Sequence, residues 1–143
     1  MPDLRGRHLQ AMTRERKLES LGIRLSVSDN WDVDESASEI TLRRGPGGAI
    51  TISTYAHEDP GFHIDAVESC SRFVAGMTKR DVEIKRSSGD AATAEFCDEQ
   101  GVWWIVRVLA SQNRFALATY NAVVHLDPGT SEAREILNSV TFD

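Results

Sequence analysis

AATAEFCDEQGVWWIVRVLASQNRFALATY, residues 91–120, holds three extended runs separated by two turns, and the register of those runs decides the fold. The first turn, Glu99-Gln100-Gly101, has glycine third, the signature of a three-residue hairpin loop that ends in a left-handed residue. That loop sets Asp98 opposite Val102, Cys97 opposite Trp103, Phe96 opposite Trp104 and Glu95 opposite Ile105. A two-residue loop at Gln112-Asn113 sets Ala110 opposite Phe115, Val108 opposite Leu117 and Ile105 opposite Tyr120. No connection here is long enough for a crossover helix, so residues 91–98, 102–110 and 114–121 read as an antiparallel meander.

Side chains alternate across a sheet. One face of the meander collects Ala94, Phe96, Trp104, Val106, Val108, Phe115 and Leu117, a plain core face. The other collects Glu95, Trp103, Ile105, Arg107, Leu109, Ala116, Ala118 and Tyr120. It is still mostly apolar, but it carries two aromatics with polar tips and an expected Glu95–Arg107 ion pair. The two tryptophans therefore point to opposite faces and cannot form one wall. A sheet with one wet face would alternate cleanly between apolar and polar, so both faces of this one need cover. A slip of one residue in the 98–101 turn would exchange the faces of 91–98, and the Glu95–Arg107 pair depends on that register.

Two helices can supply the cover. Ile64, Val67, Cys70, Phe73, Val74 and Met77 fall at helical spacing, giving a helix over about 62–76 after Pro60-Gly61. Ala133, Ile136, Leu137 and Val140 give a second over about 130–138, with Asp127, Thr130 or Ser131 as N-cap. The small side chains of Ala116 and Ala118 would let a helix approach closely. Elsewhere period two dominates. Ile23, Leu25 and Val27 alternate with Arg24 and Ser26, and Trp31–Val33 resumes the extended chain after a turn. Residues 38–43 and 49–55 flank a glycine-rich turn at Arg44-Gly45-Pro46-Gly47-Gly48, a hairpin. Val82 and Ile84 mark a strand at 81–87, which turns at Ser88-Gly89-Asp90, and residues 140–142 form a short extended tail. Residues 4–20 are polar and helix-permissive with a weak stripe (Leu4, Ala11, Leu18), so 1–21 reads as an N-terminal helix or flexible tail before a single domain at 22–143. Met12 offers an alternative start.

Composition bounds the class. A chain of 143 residues that is 41% hydrophobic and 27% charged fits one soluble domain with its own core. The net charge is -6, although residues 1–22 carry five basic groups against three acidic ones. An acidic body argues against nonspecific nucleic-acid binding, which needs a basic face to displace counterions. There is no apolar leader and no run near the ~18–20 residues of a membrane helix. The expected location is the cytoplasm, with Cys70 and Cys97 as reduced structural thiols.

The order of elements is familiar. IRLSVSDNW (23–31) runs into a tryptophan after a turn, a hairpin, helix and meander follow, and SEAREILNSVTF (131–142) closes the chain with a helix and a short strand. Over about residues 21–142 this resembles the PsbP-like superfamily, which includes the Ran-GTPase-binding Mog proteins and several bacterial families. The resemblance rests on element order and two structural patterns, SDNW and ILNSVTF. It implies an α+β domain, an antiparallel sheet of about six to seven strands sandwiched by helices (α/β/α). It also implies mostly non-enzymatic roles: photosystem accessory subunits, a GTPase-binding factor, secretion-effector chaperones. No functional residue of those families maps onto this chain.

Candidate chemistry is sparse. HEDPGFHID (57–65) gathers His57, Glu58, Asp59, His63 and Asp65, all metal-ligand types, but the spacing matches no metal motif. It reads as a Pro-Gly turn with Asp59 capping a helix. RRGPGG (43–48) is followed by a strand and lacks the Lys-Ser/Thr and helix of a phosphate loop, so it reads as a hairpin turn. Nothing links His8, His57, His63 or His125 to a serine or cysteine nucleophile, and no cofactor is expected. The best polar-aromatic constellation is Trp103, Arg107, Tyr120 and Glu95, since tryptophan, tyrosine and arginine are enriched at binding hot spots; the alternative is a helix-covered second core with one internal ion pair. Three functions follow as expectations. The first is a non-enzymatic protein-binding domain, accessory or chaperone-like. The second is a small-molecule-binding or enzymatic curved-sheet domain with a cavity lined by Trp103, Arg107 and Tyr120. The third is a toxin-neutralising acidic partner.

Overall fold

The computed structural model describes residues 13–44, 47–87, 90–123 and 129–143. Along the chain run β1 (Thr13–Leu18), β2 (Ile23–Ser28), β3 (Asp32–Glu35), β4 (Glu39–Arg43), β5 (Ala49–Ala56), α1 (Ala66–Met77), β6 (Lys85–Ser87), β7 (Ala91–Cys97), β8 (Trp103–Ser111), β9 (Arg114–Ala122), α2 (Gly129–Ser139) and β10 (Thr141–Phe142). Seven strands form one sheet in the order β3-β4-β5-β9-β8-β7-β6, and β1, β2 and β10 form a second. Every described pairing is antiparallel.

The meander holds the expected register: Phe96 faces Trp104 and Glu95 faces Ile105 across β7–β8, and Ile105 faces Tyr120 across β8–β9. The turns enforce it. Gly101 takes φ 82, which costs glycine little, and Asp98 N–H donates to Val102 O at 2.9 Å to close the loop. The Asp98 carboxylate then accepts from Gln100 N at 2.9 Å, Val102 N at 3.0 Å and the Trp104 indole Nε1 at 3.0 Å. The indole bond is the leading cause that holds this carboxyl below its ordinary pKa, with the two backbone amides assisting.

Each face has its own core. Ala92, Ala94, Phe96, Val106 and Val108 pack beneath Ala66, Cys70 and Val74 of α1, with Phe73 meeting Trp104 edge-on at 6.2 Å. On the opposite face, Ile40, Leu42, Ile50, Ile52, Ile105 and Tyr120 pack against Ala133, Ile136 and Leu137 of α2 and against Ile23, Leu25 and Val27 of the second sheet. The helices thus lie one on each side. Ala116 and Ala118, both buried, stand in the α2-side core where a close approach was expected.

Several expectations need correction. Residues 13–18 form β1, neither helix nor loose tail, paired along their whole length with β2. The opening strand therefore joins β1 and β10 in the smaller sheet, not the main one. β6 is only three residues long; Val82 and Ile84 precede it and pack as partly buried side chains on the α1-side core, so their alternation reflects one-sided packing, not pairing. The α1 cap is Asp65, which accepts from Val67 N at 2.9 Å and Glu68 N at 3.2 Å. Asp59 instead accepts from Gly61 N at 2.9 Å within the preceding turn, so the helix begins four residues later than its spacing suggested. Thr130 and Ser131 lie inside α2. Met12, His8, His125, Asp127, Gly45-Pro46 and Ser88-Gly89 lie outside the described residues.

Candidate functional site

The four residues singled out from the sequence share a face but do not form one constellation. Tyr120 is fully buried, and Trp103 packs partly buried against the same core under α2. Glu95 and Arg107 sit on different rungs, Glu95 opposite Ile105 and Arg107 opposite Thr93. The expected ion pair between them does not form. Glu95 is taken by Arg134 of α2 in a two-pronged bond, Nε to Oε2 at 2.7 Å and Nη2 to Oε1 at 2.8 Å. The reason is geometric: the helix above brings a whole guanidinium fork to Glu95, and paired parallel bonds to a carboxylate beat a diagonal reach along the sheet. This bond raises the Arg134 pKa. Arg107 donates through Nη1 to Ser87 Oγ at 3.2 Å.

An aromatic shelf assembles elsewhere, at the far end of the β5–β9 ladder. Register places Tyr55 opposite Phe115, and their rings stack at 5.0 Å between centroids. The chain leaves β5 through His57, whose N–H donates to Asn113 O at 2.7 Å while Asn113 Nδ2 donates back to His57 O at 2.9 Å. Ile64 N–H then donates to Gln112 O at 2.8 Å. The 57–64 segment is thereby pinned to the β8–β9 loop at both ends. Between the pins the Asp59-Pro60-Gly61 turn folds Phe62 onto the His57 ring, stacked at 4.1 Å. His57 Nδ1 accepts from Asp59 N at 3.0 Å, which holds the ring over the turn.

Tyr55 and Phe62 are large side chains left 50% and 47% exposed. With His57, Phe115 and Ile64 they line a groove of about 420 Å³, whose far wall is the first turns of α1 (Asp65, Glu68, Ser69, Arg72). Arg72 is tied to Glu68 at 2.5 Å, Arg86 leans on Asp65 at 3.9 Å, and His63 stands 3.8 Å from Asp90. Among the lining residues Asp65 and Glu68 are acidic and Arg72 is basic, so the margin is acidic on balance. The chemistry available is an apolar, stacking floor with a negative margin. No cluster of three or more His, Cys, Asp or Glu that could hold a metal forms among the described residues.

HEDPGFHID reads as a polar turn in the sequence, so the shelf leaves little trace there. One signal was there. In AITISTY the apolar side is Ile50 and Ile52, so Tyr55 falls with Thr51 and Ser53 on the polar side, where an aromatic has no core to enter.

No family model matches the sequence, and no curated protein matches it. Solved structures share its architecture, two of them as follows. The solution structure of cyanobacterial PsbP (CyanoP) from Synechocystis superposes with a TM-score of 0.61 at 11% identity, over 94% of each chain. A crystal structure of a protein from Bacteroides thetaiotaomicron superposes with a TM-score of 0.63 at 10% identity, over 91% of this chain and 48% of that one. The chain thus spans about half the length of the Bacteroides protein. The fold is PsbP-like: an antiparallel sheet with a helix on each face.

Proposed function

We propose that this protein is a non-enzymatic protein-binding domain, accessory or chaperone-like, and that its docking site is the Tyr55–Phe115 and His57–Phe62 shelf. One observation carries the reading: two stacked ring pairs, each with one ring half in solvent, converge on a single groove whose backbone is pinned on both sides. Rigid, partly exposed aromatics are the typical anchors of interfaces, because they bury large area at little cost in side-chain entropy. The acidic margin specifies the occupant. It is a partner segment with an apolar anchor flanked by lysine or arginine, drawn also by the net charge of -6. No described helix is long and apolar enough to cross a membrane. A cytoplasmic setting is part of the same reading, supported by two cysteines that form no disulfide.

The test selects binders from a random peptide library and measures their affinity by fluorescence polarisation. Selected peptides should share an aromatic or aliphatic anchor beside basic residues. The double variant Tyr55→Ser/Phe62→Ser should lose at least ~10-fold in affinity, about 1.4 kcal/mol. Binding should also weaken as salt rises. Peptides that bind the double variant as tightly as the parent, or a consensus without a basic flank, would refute the assignment.

A further inference from the structure

Arg107 lies in the middle of β8 on the α2-side face, with Thr93 beside it on β7, Ala118 on β9, and Lys85 one strand beyond Thr93 on the edge strand β6. The residue is only 9% exposed. Its Nη1 donates to Ser87 Oγ, but Nε is sealed from solvent with no hydrogen-bond partner among the described residues. It makes no ion pair with a described carboxylate, since Glu95 on the same face is held by both prongs of Arg134. Desolvation lowers the Arg107 pKa, yet a guanidinium does not give up its proton inside a protein. Among the described residues the outcome is a buried cation without a counter-ion, an arrangement that is unfavourable until an anion completes it.

The surroundings suit an anion. Ser87 accepts from Arg107 and keeps its own hydroxyl hydrogen to donate. Thr93 stands directly opposite Arg107 across the ladder, and Lys85, whose ammonium lies 3.7 Å from Glu83 Oε1, stands opposite Thr93 at the sheet edge. A guanidinium offers planar, parallel donors that match the two oxygens of a carboxylate or phosphate.

We propose that Arg107, with Ser87 and Thr93, forms a binding site at the β6 edge of the sheet for a small oxyanion, the phosphate or carboxylate group of a small molecule. This site is separate from the aromatic shelf and does not depend on it.

The test has two readouts on the whole protein. Thermal unfolding is followed while inorganic phosphate, or in a parallel arm acetate, replaces chloride at constant ionic strength. The ¹⁵N resonances of the arginine Nε groups are recorded over the same titrations. In the parent, Tm should rise saturably in at least one arm, and the Arg107 Nε signal should move along the same curve. Response to phosphate alone assigns a phosphate group; response to acetate alone assigns a carboxylate. Arg107→Met should lose the anion-dependent rise, and in chloride it should melt no lower than the parent, because it removes a buried charge that no described carboxylate neutralises. Arg107→Lys, which keeps the charge without the fork, should need at least ~10-fold more anion. A parent that responds to neither anion, an Nε signal that stays still, an Arg107→Met that retains the rise, or one that melts lower in chloride would overturn the proposal. Should Arg107→Met fail to fold, the Nε titration of the parent decides alone.

Discussion

Replacing Gly48 with alanine tests the packing of the α2-side core at its tightest point. A Cβ at this position would lie 2.4 Å from the carbonyl oxygen of Asn121 and 2.6 Å from Cε1 and Cζ of Tyr120. Ordinary contacts begin near 3.4 Å, so roughly 0.8–1 Å of movement is required, and neither neighbour can supply it cheaply. Asn121 O belongs to the backbone of β9, paired to both β5 and β8, and Tyr120 is fully buried. Overpacking of this kind costs about 1–3 kcal/mol, and with two rigid neighbours the value should reach about 3. For a chain of this size that corresponds to a Tm drop of ~10 °C. Gly76 is the matched control. It lies within α1 with no heavy atom within 4 Å of an added Cβ, so Gly76→Ala should stabilise by about 0.5–1 kcal/mol. Urea unfolding of both variants, with a Gly48→Ala/Tyr120→Leu double-mutant cycle, separates ring contact from backbone contact. A coupling of at least ~0.5 kcal/mol is expected, because leucine relieves the ring clash but leaves Asn121 O in place. If Gly48→Ala unfolds within ~0.5 kcal/mol of the parent, the assignment of Gly48 as a close-approach point is wrong.

Three further outcomes are expected. The Asp98 carboxyl is held below its ordinary range by the Trp104 indole first and then by the amides of Val102 and Gln100, so the stability it contributes is full above the unfolded value near pH ~4 and is lost as pH falls through the folded value. Asp98→Asn should therefore flatten the acid limb of a stability-versus-pH curve below about pH 4, and superimposable limbs would count against the role. Glu95→Gln removes a half-exposed pair and should cost about 0.5–1 kcal/mol at low salt, with the difference shrinking in high salt; a salt-independent loss would contradict the pairing with Arg134. Burial pushes the Cys70 thiol up to about 11, so iodoacetamide near neutral pH should leave Cys70 of the native protein unlabelled by mass spectrometry and label it after denaturation.

The meander was legible because its turns are specific. Gly101 adopts the left-handed conformation its place in EQG implied, and the two-residue loop at Gln112-Asn113 puts Gln112 at φ 58. Once both turns are fixed, alternation assigns every side chain from Ala91 to Ala122 to a face. β1 was illegible for the opposite reason. Thr13 to Lys17 are all exposed and only Leu18 enters a core, and a strand paired on one edge in this way needs no apolar alternation, so TRERKL looks like any polar segment. Glu95 shows a third case. Its face could be read, but its partner Arg134 arrives on a helix whose placement comes from packing Ala133, Ile136 and Leu137, which local pattern cannot locate. The aromatic shelf joins residues 55, 57, 62 and 115 with the help of bonds between His57 and Asn113 that span 56 residues, a distance at which turn chemistry alone is silent.

The smaller sheet also bears on how the chain reaches this structure. β2 pairs on one side with its sequence neighbour β1 and on the other with β10, and the Arg24–Asp143 contact beside that second pairing joins positions 119 residues apart. The hairpin closes a short turn, whereas its second edge joins distant parts of the chain. Ser26 N–H donates to Ser139 Oγ at 2.8 Å, which ties the second sheet to the end of α2. Closing so long a loop carries an entropic cost that only a largely assembled core can offset. The two outer strands of this one sheet therefore differ in loop-closure cost, since β1 pairs locally and β10 at long range. Under native conditions, the amides that bond β10 to β2 should be the first of the second sheet to open.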